Sequence, residues 1–156
     1  LGWDIDDEAV ESGLYSVAWP ARFEVLHTDD PWFVLDGGHN PQCAAALREC
    51  LEHYFPDSKR VALVGVLKDK DYKSIAATLA PLFDACVCVT PPSERALPAE
   101  ELAELFKDSC REVCVVDTVE DGVDLARDIA QEQDAMVCAF GSLYICGQIR
   151  SCFGLR

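Results

Sequence analysis

Apolar residues gather in six short runs, at residues 23–27, 32–35, 60–66, 85–90, 113–116 and 135–139, each of a length and composition that suits a strand. Between the later runs, apolar positions recur with helical spacing. Over residues 40–55, Cys43, Leu47, Cys50, Leu51 and Tyr54 form a stripe at i, i+4, i+7, i+8 and i+11. Tyr72, Ile75, Ala76, Leu79 and Phe83 form a second stripe. The pattern predicts a third helix with Pro98 in its first turn, burying Leu102, Leu105 and Phe106. A fourth, capped by Asp117 or Thr118, turns Val119, Val123, Ala126 and Ile129 inward.

Strands alternating with helices of these lengths predict right-handed βαβ units, and so a mostly parallel sheet with helices on both faces. The first two runs break that rhythm. Only residues 27–31 lie between them, too few for a crossover helix, so an antiparallel hairpin on one edge is expected. The predicted fold is an open α/β sheet of about six strands. Residues 1–18 do not fit it: they read as a short helix from Asp6 or Asp7 to about Leu14 and then a connector, as at the tail of a preceding domain.

Charge narrows the partners. Thirteen basic residues against 28 acidic ones leave a net −15 over 156 residues. Such a surface repels phosphate backbones and anionic lipid, which argues against nucleic acid and membranes. An anionic substrate would have to be held by local donors. The nine cysteines contain no CxxC pair, and Cys43, Cys50, Cys86, Cys88, Cys114 and Cys138 stand where apolar residues are expected. They read as reduced, buried thiols in a reducing cytoplasm, not as a disulfide scaffold or a zinc site. No apolar run approaches the ~18 residues of a membrane span, and the acidic opening LGWDIDDEAV is not a signal peptide.

Open parallel sheets bind ligands beyond the carboxyl ends of their strands. The segments expected there are DGGHN (36–40), LKDKD (67–71), PPSER (91–95), Asp117 and FGSLY (140–144). In the first, Gly37 and Gly38 permit positive φ and close backbone approach, Asn40 is a strong N-cap, and Pro41 suits the first helical position. A helix start of this kind offers free amides and a positive dipole end to an anion. Asp36 and His39 flank that spot, and two readings are open: both serve the anion site, or Asp36 caps the turn and His39 is an exposed loop residue. GSLY repeats the logic, with Ser142 at a helix start and Tyr144 beside it; alone it reads as an ordinary capped helix. Lys68, Asp69, Lys70 and Asp71 read as a solvated cluster, with Asp69 or Asp71 capping the next helix. Arg95 either anchors a phosphate or pairs with Glu94 or Glu100. His27 and His53 have no companions at metal-ligand spacing. Neither GxxxxGK[ST] nor GxGxxG occurs, so the chain carries no recognised loop for a nucleoside triphosphate.

Five segments, WPARFEVL (19–26), VLDGGHNPQCAAAL (34–47), GVLKDKD (65–71), RALPAEEL (95–102) and GSLYICGQIR (141–150), together resemble the C-terminal domain of folylpolyglutamate synthase/dihydrofolate synthase, in the Mur ligase superfamily. The resemblance extends over nearly the whole chain. It implies a Rossmann-like, glutamate-binding domain over residues 22–156, preceded at 1–21 by the tail of an ATPase domain and the interdomain linker. The activity it implies is an ATP-dependent amide-forming ligase. ATP and Mg2+, held mainly by the N-terminal ATPase domain of the same polypeptide, would activate a folate or dihydropteroate carboxylate as an acyl phosphate, which the amine of L-glutamate attacks. On this resemblance Arg22 and Asp36 bind ATP. His39 is catalytic and, with Ser142 and Tyr144, binds the glutamate substrate; no residue is expected to hold a metal. Without a phosphate loop, the chain alone is expected not to turn over ATP. Two positions depart from the family pattern: WPAR stands for WPGR, and DGGHNP for DGAHNP. Alanine is tolerable if φ is negative at Ala21; glycine at 38 loosens the turn that carries His39. Two other readings compete. One is a Mur-type ligase acting on a peptidoglycan precursor, opposed by WPAR and by the spacing from DGGHNP to GVLKDKD. The other is a non-enzymatic Rossmann-like module that binds a small anion or a partner.

Overall fold

The computed structural model describes residues 5–26 and 31–155. In chain order the elements are α1 (Asp7–Tyr15), β1 (Glu24–Leu26), β2 (Phe33–Asp36), α2 (Pro41–Tyr54), β3 (Lys59–Val64) and α3 (Tyr72–Leu79), which runs into a 3-10 turn at Ala80–Leu82. They continue as β4 (Ala85–Val89), α4 (Ala99–Glu104), β5 (Glu112–Val116), α5 (Val119–Gln133), β6 (Ala135–Phe140) and α6 (Leu143–Cys152). The six strands form one sheet in the order β1-β2-β6-β3-β4-β5. β1 pairs antiparallel with β2, Val25 facing Val34, and every other pairing is parallel. The edge hairpin and the parallel body follow the sequence pattern. His27 and the connection expected after it lie outside the described residues.

Because successive side chains of a strand point to opposite faces, the apolar runs feed two cores. Val34, Ala62, Val64, Cys86, Cys88, Cys138 and Phe140 face α2, α3 and α4. Leu35, Val61, Leu63, Val87, Val137 and Ala139 face α5 and α6. Central strands buried on both faces need continuous apolar sequence, which is why runs such as AMVCAF show no alternation. Both cores are closed by helices of the same chain.

Several details differ from expectation. The buried stripe of α2 is Ala44, Leu47 and Leu51; Cys43 and Cys50 lie half-buried beside it and Tyr54 is exposed. The flank of α2 that carries Cys43 and Cys50 lines a surface hollow with Arg22, Phe23 and Asp36, so it is not fully covered. Cys114 is also half-buried, whereas Cys110 and Cys146, which the pattern did not single out, are buried. All nine cysteines are free. The helix begun at Tyr72 changes to a 3-10 turn at Ala80 because Pro81 lacks the amide a helix interior needs. Pro98 occupies the cap of α4, not its first turn, and Leu105 is only half-buried. Thr118, not Asp117, caps α5. In α1, which starts one residue after its Asp6 cap, no residue is buried. No helix among the described residues is long and apolar enough to cross a membrane.

Candidate functional site

The site forms where the order of the strands reverses. β2 and β6 are hydrogen-bonded neighbours whose last residues, Asp36 and Phe140, lie opposite each other. The helices that follow them leave to opposite faces, α2 into one core and α6 into the other. Their N-termini therefore open side by side over the carboxyl edge of the sheet, the position where open α/β sheets bind ligands.

Each start is built from short polar residues. Asn40 caps α2 by accepting from the Cys43 amide at 2.9 Å, and Pro41 fills the first turn, where no amide is needed. Ser142 caps α6, its Oγ accepting from the Tyr144 amide at 3.2 Å, and is only 3% exposed. Gly141 precedes it with φ of 109°, and a Cβ there would stand 2.7 Å from the Gly65 carbonyl oxygen. Only glycine fits that turn.

The turn after β2 is locked to the linker. Asp36 Oδ1 accepts from the Gly38 amide at 2.7 Å, its Oδ2 from the Phe23 amide at 2.9 Å, and the Gly37 amide donates to the Ala21 carbonyl at 2.8 Å. Gly37 and Gly38 do not use positive φ, contrary to expectation; what they supply is space. A Cβ at Gly38 would lie 2.6 Å from Asp36 Oδ1 and 2.7 Å from Cys43 Cβ, and one at Gly37 would meet Leu143. The positive φ falls instead on the linker, at Ala21 (55°) and Phe23 (44°). The negative φ that would have made alanine harmless at 21 is absent. Arg22, between these two residues, is exposed, and its Nη1 donates to the Ala21 carbonyl at 3.3 Å. One more tie fixes the turn: Glu24 accepts from the Ala21 amide at 2.8 Å and pairs with Arg150 of α6. Burial pushes the Glu24 carboxyl upward, but the Arg150 guanidinium and the Ala21 amide outweigh it, so its pKa lies below the ordinary glutamate range.

His39 donates its Nδ1–H to the Gly37 carbonyl at 3.0 Å, since a carbonyl can only accept. In the neutral ring Nε2 is then an unprotonated acceptor. His39, Ser142 and Tyr144 converge on one hollow of about 140 Å³. Arg22 and Asp36 line a second, of about 220 Å³, with Gly38, Phe23 and the α2 residues Cys43 and Leu47. The expected site residues thus split into two groups on either side of the turn at 37–39.

Four further residues line the first hollow: Leu67 and Lys70, after β3, Arg95, after β4, and Leu143, beside Ser142. Arg95 pairs with Asp69 at 3.0 Å, not with Glu94 or Glu100, and Asp71 caps α3 by accepting from Ser74. The usable signal was that both segments follow strand ends at the reversing edge. The charges at 68–71 read as a solvated cluster, while Arg95 reads as either a phosphate anchor or an ion-pair partner. Among the described residues no cluster of His, Cys, Asp and Glu could hold a metal ion.

A mostly parallel sheet with two capped helix starts meeting at its switch point, over a hollow lined by basic groups, defines a domain of the open α/β class with its candidate site at the carboxyl edge of the strands. Residues 21–143 match the family described as Mur ligase, glutamate ligase domain, and the chain belongs to that family. Among similar proteins, a probable bifunctional folylpolyglutamate synthase/dihydropteroate synthase of Halobacterium salinarum is 36% identical over 94% of the chain, which covers 18% of that protein. A dihydrofolate synthase/folylpolyglutamate synthase of Mycobacterium tuberculosis is 34% identical over 96% of the chain and 34% of its own length. The solved structure of Mycobacterium tuberculosis folylpolyglutamate synthase complexed with ADP and AMPPCP superposes with a TM-score of 0.90 at 30% identity, over 98% of this chain and 36% of that one. The chain spans about a fifth to a third of the length of the curated relatives it matches.

Proposed function

We propose that the chain is the glutamate-binding, C-terminal domain of a cytoplasmic ATP-dependent ligase that joins L-glutamate to a folate or dihydropteroate carboxylate. On this reading residues 22–156 form that domain, and residues 1–21 are the linker and the tail of an ATPase domain of the same polypeptide. The observation that carries the proposal is the meeting of His39, Ser142 and Tyr144, from two different helix starts, on one hollow beside the Arg22–Asp36 hollow.

ATP, when bound, supplies the phosphoryl group that activates the folate carboxylate. The residues of the second hollow fit part of such a group. Arg22 is an exposed guanidinium suited to spreading phosphate charge. Asp36 already uses one lone pair of each carboxylate oxygen to hold the Phe23 and Gly38 amides, and the remaining pairs could accept from hydroxyls. Its first task is therefore to hold Arg22 in position. Among the described residues no cluster of His, Cys, Asp and Glu fits a magnesium ion.

The chain's own contribution is positioning and one proton transfer. The two helix starts and the basic lining favour the carboxylates of the amino acid over the rim. The ammonium must lose a proton before its nitrogen can attack. His39, with Nδ1–H committed to Gly37, offers Nε2 as the acceptor. The C–N bond then forms, phosphate leaves with the electrons of the C–O bond, the second amine proton passes to the departing phosphate or to solvent, and the amide product separates. Orientation of the amine against the activated carbonyl accounts for most of the expected acceleration.

The test is to join the chain to the ATPase domain of a folate-type relative and follow phosphate release. Release that needs both L-glutamate and dihydropteroate or a reduced folate supports the proposal. Release driven by a muramyl precursor instead would assign the domain to cell-wall chemistry, and L-glutamate-dependent ATP turnover by the chain alone would overturn the division of labour.

A further inference from the structure

The amino edge of the sheet, opposite the edge that carries the two helix starts, has a hollow of its own. It measures about 320 Å³ and opens between the starts of β2 and β6 and the turn that follows α2. Trp32 and Phe55 form an aromatic corner in it, with ring centroids 6.1 Å apart and planes at 64°. Trp32 is 47% exposed, so its ring is reachable from solvent. Met136 adds a thioether to the lining and Ser58 a hydroxyl.

Among the described residues, Asp134 is the one charged side chain that lines this hollow, and it stands where a carboxylate is disfavoured twice. It ends α5 at φ 53° and ψ 55°, the left-handed position that helix ends usually give to glycine or asparagine. Its charge also lies at the negative end of the helix dipole, and the last turn of α5 holds no basic residue. Among the described residues its carboxylate has neither hydrogen bond nor ion pair. A position that breaks local preference without a structural return marks a candidate functional residue.

The chain's own cations at this edge are committed elsewhere. Lys59 Nζ donates to the Gln133 carbonyl at 2.8 Å, while Arg60 donates to the carbonyls of Leu51, Phe55 and Leu82. Both serve the carbonyl ends of helices, neither lines the hollow, and Asp134 is left without a counterion. A ligand that complements these walls carries positive charge for Asp134 and an alkyl surface for Trp32, Phe55 and Met136. A bare divalent ion does not suit them, because one carboxylate and one hydroxyl are too few hard donors and aromatic faces favour weakly hydrated cations.

We propose that this hollow binds a small organic cation through an N-alkylated ammonium group, with Asp134 as its counterion and the rings of Trp32 and Phe55 as its π surfaces. The assignment stands on the geometry of the amino edge alone and does not depend on the ligase reading.

Amide and indole NMR spectra of the 15N-labelled chain, titrated separately with tetramethylammonium chloride, tert-butanol and sodium chloride, test it. Tetramethylammonium is expected to shift, with saturation, the amides of residues 55, 58 and 134–136 and the Trp32 indole N–H, which is assigned by its loss in Trp32→Leu. The alcohol, of similar size without the charge, should bind about tenfold more weakly, and sodium chloride at equal ionic strength should leave these signals in place. Asp134→Gly suits the left-handed position, so its melting temperature should rise while its affinity for tetramethylammonium falls about two- to fivefold. Trp32→Leu, whose remaining spectrum reports an intact fold, should weaken binding about threefold or more. An equal response to tert-butanol or to sodium chloride would overturn the assignment. So would affinity that is undiminished in Asp134→Gly, or the absence of any saturable shift with tetramethylammonium.

Discussion

The Phe23 amide donates to Asp36 Oδ2 at 2.9 Å, joining the linker turn to the end of a strand thirteen residues further on. Through this bond one carboxylate organises two structures at once, since its other oxygen holds the Gly38 amide. Asp36→Asn keeps one acceptor and turns an amide donor toward a backbone donor. Leaving such a half-buried N–H unsatisfied costs about 1–3 kcal/mol. A loss of that size in chemical denaturation, with the linker amides 21–23 shifted most by NMR, is the expected result; unchanged stability would show that Asp36 is free for a ligand.

Ala21 sits at φ 55° and is 4% exposed. An L-residue in that region is strained by roughly 1–2 kcal/mol, and glycine relieves it. Glycine's greater unfolded freedom and the lost buried methyl take back roughly 1.3–1.8 kcal/mol. Ala21→Gly is therefore expected to change stability by less than about 1 kcal/mol, while the β-branched Ala21→Val destabilises by about 2 kcal/mol or more. Thermal melting of the pair in the opposite order would contradict the backbone assignment.

Gly38→Ala restores the residue the family pattern has, yet it should harm this chain. The added methyl would stand 2.6 Å from Asp36 Oδ1 and 2.7 Å from Cys43 Cβ, and the latter cannot rotate away from its helix. Overpacking of this kind costs about 1–3 kcal/mol. Restored stability on adding Cys43→Gly would identify the contact responsible.

Glu24 contributes to stability in a pH-dependent way. Its folded pKa is lowered by Arg150 and the Ala21 amide against the opposing effect of burial. A depressed carboxyl stabilises the fold above its unfolded pKa, and the contribution fades as pH falls through the folded value. The loss should set in below about pH 4.3, the ordinary glutamate value. Acid unfolding of Glu24→Gln should show less dependence on pH in this range than the parent, and identical curves would remove Glu24 from the acid response.

Thiol reactivity should follow burial. Cys152 is exposed and Cys43, Cys50 and Cys114 are half-buried, whereas Cys86, Cys88, Cys110, Cys138 and Cys146 are buried. Burial pushes Cys110 up to about 11 and Cys146 up to about 12, which suppresses their thiolates at neutral pH. An aromatic disulfide reagent should modify up to four thiols in the folded chain, Cys152 first, and the remaining five only after unfolding. Early modification of Cys146 would contradict the packing of α6.

What could be read locally was read well for a physical reason. The caps at Asn40, Thr118 and Ser142 act within a few residues of themselves, so DGGHN and GSLY announce helix starts without reference to the rest of the chain. The runs at 85–89 and 135–140 are apolar throughout because both faces of a central strand are covered. The sequence reading takes Lys70 as part of a solvated cluster and leaves Arg95 open between phosphate anchor and ion pair, because charge after a strand looks the same whether it is solvated or lines a hollow.

The sequence alone thus determined the strand and helix alternation, the antiparallel edge, the capped helix starts and the family resemblance, all of which depend on short-range pattern. Only the tertiary structure decided that β6 inserts between β2 and β3, that His39 and Ser142 therefore share a hollow with Lys70 and Arg95, and that Asp36 turns instead to the linker. It also moved the left-handed backbone from the glycines to Ala21 and Phe23. These features depend on which strand ends become neighbours and which amides lie within reach, and both are set by packing across the sheet, where residues far apart in the chain meet.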